Sequence, residues 1–119
     1  MDFNSDFRYD LEFGQLDGEN WFYEIVSGKK VEVKSDRLAE KTGNIYIEYE
    51  SRGKPSGIMT TEADVWVYKF GEGKALIYEL DILRRRLNKL VAENKARVGV
   101  KGGDNNTSLG ILVKTKDLL

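Results

Sequence analysis

The amino-acid sequence predicts an α/β fold of the α+β sandwich kind, a mixed and mainly antiparallel sheet flanked by two helices. Three observations lead there. Residues 29–36 and 44–50 alternate apolar and polar side chains, as half-buried strands do. Residues 15–26 and 80–91 instead repeat their apolar positions every three or four residues, the period of an amphipathic helix. The order helix, strands, helix, strand then calls for antiparallel pairs and one crossover.

Each element has its own justification. Residues 1–13 are polar with scattered aromatics and read as an extended lead-in. A helix over Gln15–Val26 follows, with Leu16, Glu19, Tyr23 and Val26 on one stripe and Ser27-Gly28 as its stop. Strands over 29–36 and 44–50 come next, linked through a turn at Thr42-Gly43-Asn44, and the expected arrangement is a hairpin of these two. Residues 51–57 hold the single proline and form a loop; 60–64 read as one helical turn. "VWVYKF" (65–70) and "KALIYEL" (74–80) make a hairpin across Gly71-Glu72-Gly73. Asp81 opens a second helix whose stripe is Leu80, Leu83, Leu87, Leu90 and Val91. Residues 102–106 are a loop, and 108–115 a last strand.

Composition narrows the chemistry. The 119 residues, 33% charged and 40% hydrophobic, read as one domain over 1–119. No apolar run approaches the ~18 residues of a membrane span, and the start has no signal-peptide pattern, so no membrane partner is expected. With no cysteine there is no disulfide framework or thiolate zinc site, which suits a reducing, cytoplasmic compartment. With no histidine, Ser-His and Cys-His catalysis and His-ligated zinc also disappear. Catalysis falls to carboxylates, lysine, tyrosine or a metal held by oxygen ligands. Gly71-Glu72-Gly73-Lys74 lacks the spacer of a P-loop, so no nucleotide cofactor is expected.

Charge is unevenly spread although the net is −1. Residues 1–27 carry seven acids against Arg8 alone, and 81–101 carry seven bases against Asp81 and Glu93. Such a distribution fits an acidic centre beside a basic surface, and equally two solvated faces.

Strand alternation sorts the polar residues. Glu32, Lys34 and Asp36 share one face of the first strand; Asn44, Tyr46, Glu48 and Glu50 share one face of the second. Paired with apolar faces together, the strands would gather four carboxylates and a lysine. Like charges on neighbouring strands destabilise a sheet, and a divalent cation such as Mg²⁺ (or Mn²⁺) would resolve the conflict. The alternative is an ordinary solvated sheet face. Glu19, on the inward stripe of the first helix, needs a partner or a metal. Arg52, Lys54 and Ser56 in the glycine-containing loop, and Arg84, Arg85 and Lys89 on the second helix, are candidate nucleic-acid contacts.

Glu32-Val33-Lys34 on a strand, with Glu19 on the preceding helix, resembles the PD-(D/E)XK nuclease superfamily. The string from Val31 to Val67 is similar in particular to small phage-type members. The resemblance implies a restriction-endonuclease-like core and magnesium-dependent hydrolysis of DNA phosphodiester bonds, branched or flapped DNA included. It implies catalytic roles for Glu32, Lys34 and Glu19, and metal binding by Glu32, Asp36, Glu48 and Glu19. Phage origin, and with it a host-cytoplasmic location, is implied in the same way. The superfamily's separate Asp has no clear counterpart: Asp17 falls within the helix, and its role passes to Asp36 or Glu48. A second alignment takes Asp36 as that Asp and Glu48-Tyr49-Glu50 as the motif. A non-catalytic module binding nucleic acid or protein is the alternative expectation, and a homodimer through the second helix is compatible with either.

Overall fold

The computed structural model describes residues 27–36 and 38–119. The expected helix over Gln15–Val26, with Asp17 and Glu19, lies outside them. The architecture is α+β: two sheets, mainly antiparallel, with two helices among the described residues. In chain order these are β1 (Val31–Ser35), α1 (Ala39–Thr42), β2 (Asn44–Ser51), β3 (Lys54–Pro55), β4 (Val65–Gly71), β5 (Lys74–Glu79), α2 (Leu80–Ala92), β6 (Ala96–Gly102) and β7 (Ser108–Lys114). Short 3₁₀ turns occupy Gly57–Met59, Asp104–Asn106 and Thr115–Asp117.

The strands divide into a sheet ordered β1-β4-β5 and a second ordered β3-β2-β7-β6. The expected hairpin of the first two strands does not form. β1 instead runs parallel to β4, Val31 opposite Val65 and Lys34 opposite Tyr68, while β2 pairs with β7. Alternation dictates which face a strand buries; it does not choose the neighbour. Between the two strands α1, closed by Gly43 in the left-handed conformation, carries the chain from one sheet to the other.

The β1-β4-β5 sheet carries apolar clusters on both faces, interrupted on β1 by Glu32 and Lys34. Val31, Val33, Val65, Val67, Ala75 and Ile77 cluster on one side. Trp66, Tyr68, Leu76 and Tyr78 face the main core, where they meet Ile45 and Ile47 of β2 and Leu80, Leu83, Leu87 and Leu90 of α2. Four successive buried residues, Val65 to Tyr68, therefore read as a continuous apolar run. The leucine stripe of α2 is buried as its spacing predicts, and the helix ends in a Schellman closure. Asn94 takes φ 58° while its N–H and that of Lys95 bond the carbonyls of Val91 and Leu90.

Two local expectations change. The helical turn expected over 60–64 does not form; a 3₁₀ turn occupies Gly57–Met59, and the Thr61 hydroxyl beyond it bonds Glu32 and the Ala63 N–H. Residues 96–101, unassigned from sequence, and Gly102, expected in the loop over 102–106, form β6. Gly99, at φ +72°, makes a bulge that shifts register between Arg97 and Val100, which hides the strand's alternation.

Candidate active site

Residues of both sheets line an open cleft at β1 and β2. The cleft has a volume of about 640 Å³, and Lys34, Asp36, Tyr46, Glu48, Trp66 and Lys101 are among its lining residues. Lys34 and Asp36 come from β1 and the residue just after it; Tyr46 and Glu48 come from β2, and Lys101 from β6.

Glu32 stands beside this cleft, joined to it through Lys34, whose Nζ lies 3.0 Å from Glu32 Oε2. The other carboxylate oxygen accepts a 2.6 Å hydrogen bond from Thr61 Oγ1. Burial works to raise the Glu32 carboxyl, but the Thr61 hydroxyl and the hydrogen bond and charge of Lys34 outweigh it and hold the group below its ordinary value. Lys34 Nζ also lies 5.8 Å from the Trp66 ring centroid, within cation–π range. The ammonium is thus held between a carboxylate and an aromatic face.

Asp36 accepts the Leu38 N–H at 2.8 Å on Oδ1, while the Tyr68 hydroxyl is 3.3 Å from Oδ2 and 3.0 Å from the Tyr46 carbonyl. Burial, followed by the Asp36 charge and hydrogen bond, pushes the Tyr68 phenol far above its ordinary value. Glu48 accepts Ser56 Oγ at 2.9 Å and Ser108 Oγ at 2.7 Å. Gly57 lies so close to β2 that a Cβ there would sit 2.2 Å from the Glu48 carbonyl oxygen. The strand's register breaks just beyond, between Glu48 and Glu50.

Tyr46 is locked in place. Its ring rests on Gly102 and Gly110, where added Cβ atoms would come within 2.7 and 2.5 Å of it, and its hydroxyl donates to the Val100 carbonyl at 3.0 Å. Burial first, then the charge of Glu48 and the neighbouring Tyr49, raise its phenol.

The structure thus brings Lys34, Asp36 and Glu48 to one cleft with Glu32 next to it, and Glu19 lies outside the described residues. Among the described residues no three carboxylates converge closely enough to hold one ion together. The donors offered are nonetheless all oxygen. Asp36 and Glu48 on one cleft supply the one or two carboxylates that Mg²⁺ ordinarily takes, the remainder being water and substrate phosphate.

The expected nucleic-acid contacts scatter. Arg52 and Gly53, both at positive φ, form the tight turn from β2 to β3, with exposed Lys54 beside it; Ser56 is bound to Glu48. Arg84 donates to the Ile58 carbonyl at 2.7 Å and Arg86 to that of Asp117 at 3.0 Å, so these two fasten the helix to its surroundings. Arg85 and Lys89 are exposed on α2. Thr61, Tyr46, Trp66, Tyr68 and Lys101 were not among the expected site residues.

Comparison with protein-family models, with curated proteins and with solved structures gives no match.

Proposed function

We propose that the chain is a metal-dependent nuclease that hydrolyses phosphodiester bonds of DNA, branched or flapped DNA included. One observation carries this reading: Lys34 shares a cleft with the carboxylates of Asp36 and Glu48 while ion-paired to Glu32. The resemblance of Glu32-Val33-Lys34 to the PD-(D/E)XK motif supports it.

Asp36 and Glu48 are the residues that would hold Mg²⁺ or Mn²⁺ in the cleft, with Glu32 beside them. The ion supplies polarisation of the phosphate and a more acidic attacking water. Lys34 offers its ammonium to the charge that develops on the phosphate, and orients the water through its N–H donors. Glu32 keeps that ammonium in position, and Thr61 keeps Glu32. The Ser56 and Ser108 hydroxyls fix the Glu48 carboxylate, and Tyr68 and the Leu38 N–H fix that of Asp36.

The test is cleavage of plasmid, single-stranded and branched DNA by the purified protein in Mg²⁺, Mn²⁺ or EDTA, beside a folded Glu32→Ala variant. Cutting that needs the metal and disappears in the variant is expected. Absence of cutting on every substrate overturns the reading.

One observation favours a second reading, a module that binds nucleic acid or protein without turnover. Both oxygens of Glu48 already accept serine hydroxyls, as a purely structural carboxylate's would. Salt-sensitive DNA binding with no product under any divalent metal would establish it; metal-dependent product formation rejects it.

A further inference from the structure

The cleft's walls differ from those of a surface built to hold a duplex. A duplex is gripped mainly through its phosphates, which calls for cations spread along the protein face. Here Lys34 is accompanied in the cleft lining by apolar surface: Tyr46, Leu112, Val100 and Leu38, which is 63% exposed. An exposed leucine beside a held aromatic ring suits the flat face of a base, which a paired and stacked duplex does not present.

Tyr46 has the properties of a stacking platform. Its ring is backed by Gly102 and Gly110 and its hydroxyl tied to Val100, so it enters the cleft already ordered, with little freedom left to lose on binding. The volume, about 640 Å³, falls among cavities that enclose small molecules.

We infer that the cleft takes unpaired nucleotides, as in a single-stranded end or flap, with a base against Tyr46 and Leu112 and the backbone at Lys34. The inference rests on the nuclease reading for the identity of the ligand as nucleic acid, and it names which form of nucleic acid that is.

The test is binding of the full chain to fluorescein-labelled oligothymidylate, to an abasic strand of the same length and to the corresponding duplex, followed by fluorescence anisotropy in EDTA at two salt concentrations. Oligothymidylate should bind at least tenfold more tightly than the abasic strand, a stacked base being worth roughly five- to 150-fold, and more tightly than the duplex. Lys34→Ala should weaken both single strands alike and lower the salt dependence. Equal binding of the abasic strand, or a preference for duplex, overturns the inference. A protein that cuts duplex with metal but binds single strands no better retains the nuclease reading and loses this one. A protein that binds single strands selectively and cuts nothing does the reverse.

Discussion

Thr61 and Glu32 are joined by a hydrogen bond whose direction is determined by a third group. Thr61 Oγ1 accepts the Ala63 N–H at 3.1 Å, so its proton is turned to Glu32 Oε1 at 2.6 Å. With Lys34 on the other oxygen, the Glu32 carboxylate is held at both ends. Thr61→Val keeps the shape and removes the donor. Its kcat for DNA cleavage should fall about tenfold or more, a hydrogen bond to a charged group being worth ~1.5–3 kcal/mol. KM should change little, and Thr61→Ser should restore the rate. Equal kcat in the Val and Thr forms would remove Thr61 from any positioning role.

Lys34 lies at the junction of Glu32, the Trp66 face and the cleft. Lys34→Ala should lower cleavage by about a hundredfold or more, the order of loss when a donor to developing charge is removed. Its half-exposed ion pair is worth at most ~1 kcal/mol, so the fold should persist. Circular dichroism beside the cleavage assay separates these outcomes, and undiminished cutting would refute the assignment.

Tyr68 makes stability depend on alkali. Its phenol is raised in the folded state, so the native chain keeps a proton that the unfolded chain releases above about pH 10. The folded state then binds more protons, and stability declines as pH rises. The contribution is fully present below about pH 10 and is lost above it. Urea unfolding at stepped pH should show this decline, and Tyr68→Phe should reduce its slope. An unchanged slope would mean that other groups cause the decline.

Gly110 and Gly102 leave room for the Tyr46 ring. A methyl at Gly110 would meet both that ring and the Ile47 carbonyl, 2.8 Å away, so Gly110→Ala should cost about 1–3 kcal/mol, as overpacking does. Denaturant midpoints measure it. A neutral result would show that the ring can move aside.

Much of the architecture was legible where the determinants are local. The β4–β5 hairpin is set by two apolar runs around Gly71-Glu72-Gly73, and α2 by leucines at helical spacing. β6 was not legible because Gly99 interrupts its alternation. The partner of β1 was not legible either, since Val31 and Val33 specify a buried face and say nothing of Val65 and Val67 beside them. At the site, alternation places Lys34 and Asp36 on one side of β1, and Tyr46 and Glu48 on one side of β2. That residues from the two strands line one cleft depends on the fold as a whole. Thr61 falls outside any periodic element, so only three-dimensional contact connects it with Glu32.

The parallel seating of β1 against β4 has a consequence for the order of assembly. Lys30 and Asp64, bonded at the entrance of that pair, are 34 residues apart, so no local turn brings the two strands together. Closing so long a loop carries an entropic cost that a hairpin avoids, and contacts of this span form slowly. During synthesis, Glu32 and Lys34 leave the ribosome well before the strand that will hold them. Until Val65–Gly71 follows, β1 has no neighbour in its sheet among the described residues, and the ammonium has no Trp66 to rest on. The cleft is therefore a late product of folding, and a polypeptide cut short before residue 65 would contain the Glu32-Val33-Lys34 motif without the site.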